Sequence, residues 1–378
     1  MLWRTAQASG RELAALAQEI CQVPAPAFQE GARGDWAARH LSETTGQAAA
    51  SDSAGNRWVT LPGRLGAGPQ ILVCAHLDTV FPPDTDCTVR QENGRLIGPG
   101  IGDNASGLAI LLQGARLLAS AGLPFRGELI VAADVGEEGL GDLRGARALC
   151  ARFGKTLDGF LSLDGGLGQV VGVAVGVRRY RVSVQGPGGH SWSAFGTPSA
   201  IHHLSRVAAS LADLEVPAAP RTTFNIGVFE GGTSVNTVAE YAHLQLDLRS
   251  VDSAALDALD VRAQAAIHAP VLPKELKVTL EKIGERPSGD SSGTIDWIDT
   301  ARAALAALQI PMKVTASSTD ANVPLALGLR ASTLGISRGG KQHTVSEWLD
   351  PESLPLGLEA ALLTVLTALA IFPTGSKR

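Results

Sequence analysis

Cysteine is scarce and poorly spaced for metal binding. The four present, Cys21, Cys74, Cys87 and Cys150, form no C-x-x-C pair. That argues against a cysteine zinc site and for reduced, buried thiols. A basic excess is missing too. The 378 residues carry a net charge of −5, with a pI near 5.9, which argues against nucleic acid or an anionic membrane as the main partner. Met1-Leu2-Trp3-Arg4 lacks the basic start, apolar stretch and cleavage site of a secretory signal. No run is read as approaching the roughly 20 apolar residues of a membrane span. A cytoplasmic chain is therefore expected. Lysine is sparse beside Ala, Gly, Leu and Arg, a compositional bias without functional content. What remains is ordinary: 45% hydrophobic and 18% charged residues belong to a soluble globular protein. The length suffices for two domains with their own cores.

Up to about residue 173 strand and helix alternate. Helices are read near 11–21 and 31–42, a hairpin-like stretch runs through Trp58 and Pro62, and an apolar helix follows from Ser106 to Ala119. Such an order implies parallel βαβ units. Near residue 174 the grammar changes. Tyr180, Val182 and Val184 alternate with polar neighbours, and Leu244, Leu246 and Leu248 do the same, so these strands have one wet face. Their order with two helices is β-α-β-β-α-β. The first pattern resumes with a helix near 296–308, a strand near 331–336 and a final helix near 351–372. The expected architecture is α/β, a mixed sheet flanked by helices (residues 1–173 and 286–378), with an inserted ferredoxin-like α+β domain (174–285).

The chemistry gathers at strand ends. Ile71-Leu72-Val73-Cys74 leads into Ala75-His76-Leu77-Asp78-Thr79, and Leu129-Ile130-Val131-Ala132 leads into Asp134-Val135-Gly136-Glu137-Glu138-Gly139. A third apolar run, 159–163, ends at Asp164; a glycine-rich loop, 98–104, carries Asp103; and His343 follows the last apolar strand. Ligands in open α/β sheets bind beyond the carboxyl ends of strands. Taken singly, each residue has a plain reading: an Asx turn for His76 and Asp78, a helix N-cap for Asp103, an incidental loop histidine for His343. Adjacent Glu137 and Glu138 repel unless a cation or proton compensates, and one can ligate while its neighbour is a general base. Together these residues point to a metal centre without cysteine, suited to zinc or a similar hydrolytic metal. Five ligands and a spare glutamate would fill two sites sharing a carboxylate.

In these motifs, 75–82, 98–107 and 136–139, the chain resembles the acetylornithine deacetylase, succinyl-diaminopimelate desuccinylase, carboxypeptidase G and peptidase T family of co-catalytic zinc hydrolases. The resemblance spans nearly the whole chain. Ser318-Thr319-Asp320-Ala321-Asn322, Gly339-Gly340 to His343, and Glu347-Trp348 are most similar to the peptidase T-like and carboxypeptidase branches. The resemblance implies two Zn2+ ions, with Co2+ or Mn2+ as substitutes, held by His76, Asp103, Glu138, Asp164 and His343. Asp103 would bridge them, Glu138 would join His76 on one ion, and His343 would join Asp164 on the other. It further implies that Asp78 orients His76, that Glu137 is the general base, and that His190 supplies an oxyanion donor. Asn236, Arg286 and, more weakly, Arg249 resemble positions that hold a substrate carboxylate. The 103–104 peptide is expected to be cis. The implied reaction is hydrolysis of a small peptide or an N-acyl amino acid, with no nucleic acid or membrane partner; a monomer and a homodimer through 174–285 are both left open.

Two rivals belong to other classes. Gly335-Ile336-Ser337-Arg338-Gly339 is a formal G-x-S-x-G, but a serine elbow needs a helix directly after the serine, and an Asp then a His downstream. Gly339-Gly340 opposes the helix, and no His follows Asp350. A non-catalytic binding protein of the same fold is the second rival.

Overall fold

A computed structural model describes residues 2–289 and 291–374. The chain divides into two compact units, Met1–Ala174 with Gly289–Arg378, and Val175–Ser288. Arg286 thus closes a strand of the smaller unit, whereas the expected boundary assigns it to the larger one.

The larger unit is built on an eight-stranded sheet. Its spatial order is Ala50–Ser51, Arg57–Pro62, Glu128–Asp134, Gln70–His76, Gly159–Leu163, Ala331–Leu334, Gln169–Ala174 and Lys313–Ser317. Gln70–His76 runs parallel to both neighbours, and Ala331–Leu334 parallel to Gly159–Leu163. Arg57–Pro62 is antiparallel to Glu128–Asp134, so the sheet is mixed. Central parallel strands are covered on both faces, which explains their unbroken apolar runs. Ile71, Val73 and Ala75 enter the core that contains helices Gly107–Ser120 and Leu354–Ile371. Leu72 and Cys74 enter the opposite core with Leu149 of helix Arg144–Phe153. Each fully buried Leu or Ile contributes about 1.5–3 kcal/mol. Because side chains alternate along a strand, His76 falls on the Leu72–Cys74 face. By the same count Asp134 and Asp164 fall on that face of their own strands.

Helix Gly107–Ser120 begins hard against the sheet. A Cβ on Gly107 would lie 2.0 Å from Asn104 Oδ1 and 2.5 Å from the Leu163 carbonyl oxygen, an approach that excludes any side chain. The C-terminal helix corrects one expectation: Pro351–Ile371 is long and apolar enough to cross a membrane. Its composition has a simpler cause in the fold. Leu354, Leu358, Leu362, Val365 and Leu369 are buried in the main core, and the helix packs against helices 2–8, 107–120 and 295–307.

The smaller unit is a four-stranded antiparallel sheet in the order Thr222–Gly231, Tyr241–Ser250, Gly176–Gln185, Lys277–Arg286. Helices Ala200–Ala212 and Ser253–His268 complete the β-α-β-β-α-β order. Tyr180, Val182, Val184, Leu244, Leu246 and Leu248 pack under these helices with Leu204, Leu259 and Ile267. The alternation read from sequence is that of a sheet buried on one face.

Candidate metal centre

His76 is the last residue of its strand, buried at 0% exposure. Its Nδ1 donates to the Asp78 carbonyl oxygen at 3.0 Å, which leaves Nε2 directed at the site. Nε2 lies 3.2 Å from Asp103 Oδ1. The other oxygen, Asp103 Oδ2, is 3.3 Å from His343 Nε2, and Glu138 Oε1 is 3.0 Å from the same nitrogen. One carboxylate therefore faces two imidazoles, one oxygen to each. His76 Nε2 and Asp103 Oδ1 are buried and make no hydrogen bond, as expected of atoms arranged for a cation.

Asp78 holds the His76 ring through two groups: its backbone carbonyl accepts Nδ1–H at 3.0 Å, and its carboxylate lies 3.7 Å from the same nitrogen. That carboxylate accepts the N–H groups of Glu137 at 3.1 Å and Glu138 at 2.7 Å, and so fixes the acidic loop. Gly136 sits at φ +73°, where a Cβ would meet Arg144 Nη1 at 2.2 Å. Buried Arg33 donates to the Leu77 carbonyl at 2.7 Å and to Val23 at 2.8 Å, clamping the strand end between His76 and Asp78. The Asp103-Asn104 peptide is cis. Asn104 Nδ2 donates to Leu163 O at 2.9 Å, tying this loop to the strand that precedes Asp164.

The charges are consistent with a place for cations. Burial works to lower the pKa of His76, but Asp103 and Asp78 overcome it and hold the ring well above its usual value. Asp103, then Glu138, raises His343 to about 10. Burial raises Asp103, yet His343 and His76 outweigh it and keep the carboxyl below its ordinary range. Asp164 is pushed up to about 7 by burial and then by Asp103. Without metal, protons fill the gaps between these groups.

Donor atoms of His76, Asp103 and Asp164 lie within 4.8 Å of one another, as do those of Asp103, Glu138 and His343. These two groups share Asp103 and offer only nitrogen and oxygen, a donor set that suits zinc. Glu138 also lies within that distance of His76, the pairing implied by resemblance. Asp164 groups with His76 because their strands are adjacent and parallel, while Glu138 stands against His343. Glu137 also groups with His76 and Glu138, beside the ligands.

The remaining expected residues lie in the smaller unit and form two separate pairs. His190 pairs across a short two-stranded ribbon with Thr237, next to Asn236, whose carbonyl accepts Ser191 N–H at 2.9 Å. Both are exposed. Arg249 and Arg286 flank Val177 from opposite neighbouring strands. Arg249 also binds Asp247 at 2.6 Å, and Arg286 is buried. Ser337 is followed by the strand Arg338–Gly340 and shares a hydrogen bond with Ser106 at 3.1 Å; it is no serine elbow. Sequence reasoning passed over Arg33 altogether. It also passed over a buried group of Cys74, Asp134 and Asp320, whose donor atoms lie within 4.8 Å. Asp134 ends an apolar strand, which was the available signal; Asp320 follows the largely exposed strand Lys313–Ser317, which gave none.

The α/β sheet with its His and carboxylate groups at one edge defines a metal-dependent hydrolase. The match to known proteins gives the particular family: residues 72–367 fit the model of Peptidase family M20/M25/M40, and the chain belongs to it. It is 27% identical over 316 residues to the uncharacterized protein YqjE of Bacillus subtilis (strain 168), covering 80% of this chain and 81% of that one. Aminopeptidase PepT from Bacillus cereus has the same fold, with a TM-score of 0.74 at 23% identity over 96% of this chain and 99% of that one. So does the di-peptidase Dug1p from Saccharomyces cerevisiae, with a TM-score of 0.78 at 15% identity over 98% of each chain.

Proposed function

We propose that the chain is a di-zinc peptidase of the carboxypeptidase or di/tripeptidase type, acting on small peptides. The reading is carried by the Asp103 carboxylate facing His76 and His343 with one oxygen each. His76, Asp103 and Asp164 would hold one ion, and Asp103, Glu138 and His343 the other. Bound there, such ions polarise an amide carbonyl and lower the pKa of water. Glu137 is buried beside the ligands, and its backbone is fixed by Asp78. It takes the proton of the attacking water and delivers it to the leaving nitrogen. His190 donates to the developing oxyanion, and the substrate carboxylate is taken by Arg286 with Arg249, or by Asn236 beside His190. The smaller unit serves as lid and as the surface of a homodimer.

The test is Glu137→Ala assayed against dipeptides, tripeptides and N-acyl amino acids. Turnover should fall by about 10²–10⁴-fold, with metal content per chain unchanged. Full activity in the variant would remove Glu137 from the mechanism. A wild-type preference for N-acyl amino acids would make the protein a deacylase using the same residues.

A further inference from the structure

The glycine-rich loop before Asp103 has a second partner that the ligand set leaves unexplained. Glu347 is 0% exposed and lies four residues beyond His343. Its Oε1 accepts the N–H groups of Gly102 at 2.8 Å and Asp103 at 2.7 Å, and its Oε2 accepts that of Gly100 at 3.1 Å. Its own carbonyl accepts Gly98 N–H at 3.0 Å, and its N–H donates to Thr344 O at 3.0 Å. Among the described residues it makes no ion pair. A buried carboxylate held only by backbone donors is costly to desolvate, and three convergent N–H groups at a helical turn are what compensates it. The loop is shaped for that carboxylate: a Cβ on Gly102 would lie 2.9 Å from Glu347 Oε1, and Gly100 adopts φ +77°.

We infer that Glu347 is a positioning residue of the metal centre, joining the loop that carries Asp103 to the loop that carries His343 so that both ligands keep one mutual geometry. This rests on the two-metal reading above. Two segments 244 residues apart are otherwise joined by the strand pairs Trp348 with Ile97 and Leu349 with Leu96, by Arg95 over the Trp348 ring and by the Ser106–Ser337 hydrogen bond. Those pairs fix the hairpin 338–350 to the sheet edge at 95–97. They leave the direction of the Asp103 side chain to the backbone at 100–103, and Glu347 holds that backbone. A neutral apolar residue could fill the same space but could not bind three N–H groups at once.

Glu347→Gln tests this. The amide keeps the volume but retains one acceptor oxygen, and its NH2 group would face an N–H donor. Metal affinity, measured by titrating the whole protein with Zn2+ against a chelator, should fall by about 10–100-fold, the usual effect of removing an outer partner of a ligand. With Co2+ in place of zinc the visible absorption bands should change in position or intensity. KM at saturating metal should stay near the wild-type value. Affinity and Co2+ spectrum equal to wild type would overturn the inference, whatever happens to the melting temperature. If Glu347→Gln does not fold, Gly102→Ala serves instead: its Cβ presses on Glu347 Oε1, and weaker metal binding supports the role while unchanged binding refutes it. A wild-type protein that binds no metal would overturn the two-metal reading itself, an outcome visible before any variant is made.

Discussion

Lowering the pH from 8 to 6 should weaken metal binding to this protein far more than to an ordinary histidine site. In the metal-free chain, His343 Nε2 lies 3.3 Å and 3.0 Å from carboxylate oxygens of Asp103 and Glu138, and its pKa stands at about 10. An imidazolium cannot ligate, so the ion that His343 would hold must displace that proton. Sign and size follow. A histidine of pKa about 6.5 loses only about fourfold in affinity between pH 8 and 6, because it is neutral for most of that range. A group protonated throughout loses about tenfold per unit, or about 100-fold. The His343 side chain is 54% exposed, and solvent screens part of the attraction. Losing half of the elevation still leaves about 60-fold. Asp164, held up to about 7 by burial and then by Asp103, adds to the loss in the same direction below pH 7. Zn2+ competition against a chelator of known pH dependence measures the change. Calorimetry in two buffers of different ionisation heat counts the protons released. A fourfold change or less, with no proton released at pH 7.5, would refute the electrostatic account of the site.

Three further outcomes follow from the same coordinates. Gly107→Ala should cost about 3 kcal/mol in urea unfolding, at the upper end of overpacking, since its Cβ would strike Asn104 Oδ1 and the Leu163 carbonyl. Metal-free protein should be less stable at pH 8 than at pH 5. Burial raises Asp134 from 3.8 to about 7, so between those values the folded chain binds a proton that the unfolded chain lacks, and stability falls as pH rises through the window. Asp134→Asn should reduce that dependence in thermal melts run with chelator, leaving the share carried by Asp164 and His343. Ser337→Ala should leave turnover within about twofold, because no serine elbow is present.

The residues legible in the sequence were those whose place depends only on strand ends. His76, Glu137, Glu138 and Asp164 follow apolar runs, and parallel strands bring such ends to one edge without further information. Which ligand meets which could not be read, since pairing depends on sheet order. Gln70–His76 lies between Glu128–Asp134 and Gly159–Leu163, and nothing local to His76 announces Asp164 as its neighbour. Arg33, and the role of Glu347 within its motif, were hidden for a related reason: each binds backbone atoms of a distant segment, and such contacts leave no spacing pattern. The last helix was read in its place, but its apolar run was read as too short for a span, whereas Pro351–Ile371 is long and apolar enough for one. A helix enclosed by protein and one enclosed by lipid need the same apolar composition.

The ligands' separation along the chain also sets an order of events during synthesis. His343 stands 205 residues after Glu138. At about 5–20 residues per second, the ribosome needs roughly 10–40 s to extend the chain from one to the other. On the two-metal reading, the nascent protein would then hold an unfinished cation cage, with Asp103 and Glu138 made first and Asp164 soon after. A metal ion captured early would have fewer protein ligands, and full affinity would arrive only with the last segment.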